Sequence, residues 1–149
     1  LNLFVAPDPE FLPHDYIPPL PDAERLYNIF LDRVDPVVRI IHKPTFLEEM
    51  QEYYMQVGQD NKVEKRSTAA FEALLFVVLF GALTSLSEQE HWDPSPPGRD
   101  TAPGQLKQGC LQALRFAIEQ SLVRSELLER PSLHSISACC LFLVRESIP

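Results

Sequence analysis

Ten consecutive residues without a polar side chain, Leu74–Leu83 (LLFVVLFGAL), set the strongest limit on how this chain folds. With their flanks they predict a helix over about Thr68–Leu86, capped by Ser67. Spanning a membrane takes about 20 apolar residues. Here Glu72 stands at one end, and Thr84, Ser85, Ser87 and Glu88 stand at the other. We therefore read no membrane span. A helix that is apolar on every side sits at the centre of a bundle, so the remaining elements must each bring an apolar stripe to surround it.

Those stripes are present. Ala23, Leu26, Tyr27, Phe30 and Val34 recur at helical spacing, predicting a helix over about Asp22–Val34 that stops at Asp35-Pro36. Pro44 opens a second helix, with Phe46, Leu47, Met50, Tyr53, Tyr54 and Val57 on one face and Glu48, Glu49, Gln51, Glu52 and Gln56 on the other. Leu106, Cys110, Ala113, Leu114, Ala117, Ile118 and Leu122 mark a helix over about Gln105–Val123. After a turn at Ser125–Glu129, Pro131-Ser132 opens a last helix over about Leu133–Val144. The β-branched run Val37–Ile41 has no second strand to pair with, and we read it as an extended connector. The fold class expected is all-α: an irregular bundle of about five helices.

Proline falls between these elements. The chain has 14 prolines in 149 residues, against only 5 glycines. Pro7, Pro9, Pro13, Pro18, Pro19 and Pro21 make residues 1–21 a proline-rich N-terminal segment, extended or polyproline-like, which Phe4, Phe11, Leu12, Tyr16 and Ile17 pin to the helical domain of residues 22–149. Ser87–Gly104 reads as one long proline-rich loop holding the only tryptophan, Trp92, beside His91.

Charge and cysteine content narrow the function. Lys and Arg total 13 against 21 Asp and Glu, a net charge of −8, which repels phosphate and argues against direct nucleic-acid binding by this segment. The basic stretch Lys62–Arg66 is short and interrupted by Glu64. Three cysteines, Cys110, Cys139 and Cys140, form no C-x-x-C and no disulfide framework. They suit buried positions in a reducing compartment. The chain starts at Leu1 and shows no secretion signal, so we expect an intracellular piece of a longer chain. The last helix is apolar on most sides with nothing after it to cover it, which predicts a missing layer supplied by later residues or by a partner.

Several residues together carry a family resemblance. Pro19–Tyr27 (PLPDAERLY) leads to Val34-Asp35-Pro36, then to Ile40–Phe46 (IIHKPTF), then to Phe71–Phe76 and Gly81–Leu86. This order resembles the N-terminal part of the middle homology region of fungal-specific zinc binuclear-cluster transcription factors, over about Pro18–Pro149. The resemblance implies an all-α regulatory and interaction domain in a nuclear protein, with Asp35, Pro36, His42, Pro44 and Phe46 as structural motif residues. Its implied partners are the remaining helices of the parent protein or another subunit, with a small-molecule effector in some regulators. The zinc cluster and its basic region are absent from this sequence, so neither zinc nor DNA binding carries over to any residue, and no cofactor is expected.

A reading from another class is a stand-alone helical small-molecule enzyme or binding protein derived from this fold. Its acid–base candidates are His42 with Asp35, or His91 with Asp93. No G-x-S-x-G elbow and no glycine-rich phosphate loop supports it, and His14, His91 and His134 lie on separate segments, unsuited to a metal centre. Phe71, Phe76, Phe80, Tyr53 and Tyr54 line either a pocket between helices or the plain core, and we favour the core.

Overall fold

A computed structural model describes residues 8–39, 41–57, 66–87 and 103–147. The protein is all-α. Among the described residues there are six α-helices, one 3₁₀ turn and no strand: α1 (Leu20–Arg33), α2 (Asp35–Val38), α3 (Lys43–Val57), α4 (Arg66–Ser85), α5 (Pro103–Arg124) and α6 (Leu133–Ser147).

The apolar run lies in α4, and the residues from Ala69 to Leu83 are all buried. The 18-residue stretch Thr68–Ser85 is long and apolar enough to cross a membrane by length and composition, yet 83% of it is buried inside the protein. Its apolar surface is spent on α5, α6 and α1, which pack directly against it. Ala73, Ala82 and Ala117 keep the backbones close, while Phe30, Leu75, Phe76, Leu79, Ile118 and Phe142 fill the space between them.

Each outer helix presents the stripe that its spacing demands. From α1 come Ala23, Leu26, Tyr27 and Phe30; from α5, Leu114, Ala117, Ile118 and Leu122; from α6, Ala138, Leu141 and Phe142. In α3 the buried set is Phe46, Met50 and Tyr53, one turn apart, whereas Leu47 is exposed. Phe46 stacks between Tyr27 (5.1 Å) and Phe71 (5.6 Å), joining α3 to α1 and α4.

Two expectations fail for identifiable reasons. Val37–Ile41 is not extended at its start: Asp35–Val38 forms the short helix α2, with Pro36 in its first turn. Proline's fixed φ and the Asp35 carboxylate near the helix start favour a helical turn, and the β preference of valine has no neighbouring strand to act on. Arg39, left-handed at φ 47°, ends it by donating its N–H to the Asp35 carbonyl (2.8 Å). Among the described residues α2 thus adds a short sixth helix to the five long ones expected. Likewise α4 is helical from Arg66, one residue ahead of Ser67, the expected cap.

Other boundaries move by one to three residues. α1 begins at Leu20, with Pro19 before it and Pro21 in its first turn, where a missing N–H costs nothing. α5 begins at Pro103 for the same reason, so it takes Pro103 and Gly104 from the predicted loop. Residues 88–102 of that loop, with His91, Trp92 and Asp93, lie outside the described residues. α6 opens as predicted at Ser132, where a reciprocal cap forms: the Ser135 N–H donates to Ser132 Oγ (3.2 Å) and the Ser132 N–H to Ser135 Oγ (2.8 Å). It runs on to Ser147.

The N-terminal segment contains a 3₁₀ turn at Pro13–Asp15. Phe11 is buried against Phe116 (5.8 Å) and Tyr16 (5.3 Å), and the Asp8 N–H donates to Gln120 Oε1 (2.9 Å), so this segment lies on α5. Leu12 is exposed, and Phe4 lies outside the described residues.

Candidate functional site

The motif residues converge at the start of α3. Asp35, Pro36, His42 and Pro44 border an open depression of about 450 Å³, together with Arg39, Ile41 and Lys43. Asp35 is buried, with Oδ2 3.6 Å from Lys43 Nζ and Oδ1 without a hydrogen-bond partner. His42 is exposed on the residue before α3, and its Nδ1 shares a 2.7 Å hydrogen bond with Thr45 Oγ1. The His42 carbonyl accepts the Phe46 N–H (3.0 Å), and the Tyr27 hydroxyl donates to the Lys43 carbonyl (3.2 Å). The polar groups of this corner thus hold the helix entry: His42 pairs with Thr45, and Asp35 pairs with Lys43.

Of the aromatic candidates, Tyr53 touches both Phe71 (5.7 Å) and Tyr54 (6.1 Å), while Phe80 packs on Phe142 of α6 (5.5 Å). Between them runs a polar seam that the sequence does not announce. The Tyr53 hydroxyl donates to Glu72 Oε2 at 2.6 Å, both residues being buried. Burial, and then the Glu72 charge, push the Tyr53 phenol far above its ordinary range. Burial and the Asp22 carboxylate do the same to Tyr54, whose hydroxyl donates to the Pro18 carbonyl (2.6 Å). Nearby, His134 Nε2 lies 2.6 Å from Glu49 Oε2, linking α6 to α3. The one sequence signal for this seam is Glu72 itself, a carboxylate on an otherwise apolar helix.

Among the described residues, no three His, Cys, Asp or Glu side chains come together as a metal site. Cys110 and Cys139 are half-buried, with their thiols pushed up by burial, and Cys140 is exposed.

The most conspicuous exposed feature is on α6. Ala138, Leu141 and Phe142 face α4, while the opposite stripe faces outward: Leu133 is 78% exposed, Ile136 46%, Leu143 48% and Val144 40%, with Cys140 exposed among them. The spacing of Leu133, Ile136, Cys140 and Leu143 is that of a coiled-coil seam. An apolar stripe continuous along about three turns is the kind of surface that packs against another helix. At its end, Leu141 and Val144 join Arg33, Val34, Val37, Val38, Thr84 and Ser85 around a second depression of about 320 Å³.

Comparison with known proteins gives a consistent set of relatives. No protein-family model matches the chain, and no solved structure matches it. It is 28% identical over 138 residues to the C6 finger domain transcription factor hasF of Aspergillus fumigatus, covering 85% of this chain and 17% of that protein. It is 30% identical over 120 residues to the C6 finger domain transcription factor nscR of Arthroderma gypseum, covering 80% of this chain and 15% of that protein. It is 28% identical over 120 residues to the pyriculol/pyriculariol biosynthesis cluster transcription factor 1 of Pyricularia oryzae, covering 80% and 14%. The chain therefore spans only about 15% of the length of the curated relatives it matches. These homologues are fungal C6 finger transcription factors, not enzymes, and the similarity is to one segment of them.

Proposed function

We propose that this chain is a regulatory and interaction segment of a fungal C6 finger transcription factor, the N-terminal part of its middle homology region, with DNA contact left to another part of the protein. The observation that carries the proposal is the outward stripe of α6, Leu133, Ile136, Cys140 and Leu143, which is exposed among the described residues. A helix elsewhere in the parent polypeptide covers it. Linkage in one chain replaces bimolecular association by a high effective concentration, so a single helical seam suffices. The net charge of −8 supports a role away from the phosphate backbone. On this reading the segment works in the nucleus, needs no cofactor of its own, and uses the corner around Asp35, Pro36, His42, Pro44 and Phe46 to hold α1 against α3.

The test is a triple variant, Leu133→Ser, Ile136→Ser and Leu143→Ser, in the complete polypeptide that carries this sequence. These side chains are exposed in the present chain, so its thermal midpoint should shift little on its own. In the complete protein the lost packing should lower output from a target promoter at least tenfold. Undiminished output at equal protein level would refute the proposal.

A further inference from the structure

The short helix α2 stands between the two depressions, and its surroundings differ in charge from the rest of the chain. Residues 33–45 carry three cations, Arg33, Arg39 and Lys43, against one carboxylate, Asp35, a local charge of +2 in a chain of −8. Asp35 is buried, whereas Arg33, Arg39, His42 and Lys43 are exposed. Val37, on the crest of α2, is 78% exposed. On one side of it lies the depression of about 320 Å³ whose apolar wall is Val34, Val37, Val38, Leu141 and Val144. On the other lies the depression of about 450 Å³ bordered by Arg39, His42 and Lys43.

A valine crest with an apolar groove on one side and the cations Arg39 and Lys43 on the other, on an otherwise acidic molecule, is complementary to one kind of partner. We propose that the α2 corner is a docking surface for an acidic amphipathic helix. The helix would place its apolar residues over Val37 and Val38 and into the groove toward Val144, with its carboxylates at Arg39 and, on the solvent side of its pair with Asp35, at Lys43. Apolar contact supplies the affinity and the charges supply orientation and choice of partner. A nucleic acid would meet the cations but leave the valine groove unfilled. Apart from Val144, this surface is separate from the α6 seam, so each can fail without the other.

Three fluorescent probes test this on the present chain: a 20-residue peptide with Leu at helical i, i+3, i+4, i+7 spacing and Glu on its polar face, the same peptide with Lys in place of Glu, and a 20-base-pair DNA duplex. Anisotropy titration should show the Glu peptide binding, with affinity falling as salt is raised, and the Lys peptide binding at least tenfold more weakly. Arg39→Glu should weaken the Glu peptide about tenfold. Val37→Ser, at a site too exposed to unfold the protein, should weaken it severalfold at unchanged thermal midpoint. Equal binding of the two peptides, no binding of the Glu peptide, or no effect of Val37→Ser and Arg39→Glu would overturn the proposal. Duplex binding that is tighter than peptide binding and lost in Arg39→Glu would overturn it in favour of phosphate recognition.

Discussion

Phe76→Ala should destabilise the protein by about 3–5 kcal/mol, the usual cost of emptying a large, fully buried aromatic site. Phe76 has no solvent exposure and lies near the middle of α4, the helix that α1, α5 and α6 all pack against. A cavity there cannot be refilled by one neighbour, because three helices would have to move together. Domains of this size have only about 5–15 kcal/mol in total, so the variant should sit close to its unfolding threshold. Urea titration would show a large drop in midpoint, with Val37→Ser as the surface control. A loss under about 1 kcal/mol would mean that α4 is not the centre of the bundle.

Stability should also collapse at alkaline pH, and the sign follows from the buried phenols. In the unfolded chain tyrosines ionise at their ordinary value of 10.0, while folding raises Tyr53, Tyr54 and Tyr27 above it. For Tyr27 and Tyr53 the main cause is burial, reinforced by the carboxylates of Asp35 and Glu72 respectively. Below pH 10 both states hold these protons and nothing is lost. Above it the unfolded state releases protons that the folded state keeps, so stability falls by roughly 1.4 kcal/mol per pH unit for each of the strongly raised Tyr53 and Tyr54, with Tyr27 acting in the same direction. The half-buried thiols of Cys110 and Cys139, also raised, begin to act in the same direction above pH 9.0. Urea midpoints from pH 8 to 11 should be level at first and then drop steeply. In Tyr53→Phe the slope above pH 10 should be shallower by one tyrosine's share, although the baseline is lower because Glu72 has lost a donor. A flat profile to pH 11, or an unchanged slope in Tyr53→Phe, would contradict the buried polar seam.

Local rules made much of this architecture legible. The run Leu74–Leu83 placed the central helix, and single apolar stripes placed α1, α3, α5 and α6 around it, because a 3.6-residue period leaves few other ways to bury those side chains. The Pro131-Ser132 start of α6 was readable from its capping chemistry. Its uncovered face was readable too: more apolar residues occur there than one contact with α4 can use, and the exposed Leu133, Ile136 and Leu143 are the surplus. Local rules misread Val37–Ile41, where valine's strand preference lost to Pro36 and to the lack of a partner strand. They also put Leu47 on the apolar face of α3, where it is exposed, since amphipathic spacing cannot tell the centre of a stripe from its edge.

The polar pairs were not legible. Tyr53 with Glu72 and His134 with Glu49 bring together residues 19 and 85 positions apart, and no spacing rule links side chains on different helices. The α2 corner was half legible. Its motif residues stood out, but the groove that Val34, Val37 and Val38 share with Leu141 and Val144 depends on where α6 packs on α4. For the same reason the acid–base pairing of His42 with Asp35 was composable on paper, whereas in the fold each residue has another partner, Thr45 and Lys43.

On the proposed function, the α6 seam is covered in the complete protein. The most direct test uses Cys140, the one exposed cysteine among the described residues and a member of that seam. Its labelling rate with a maleimide would be compared between the present chain and the complete polypeptide, with Cys110 and Cys139 replaced by Ala in both and other reactive thiols resolved by peptide mapping. Cys140 should label fast in the present chain and be at least tenfold protected in the complete protein. Equally fast labelling in both would contradict it, leaving the seam open to solvent in the protein that carries it.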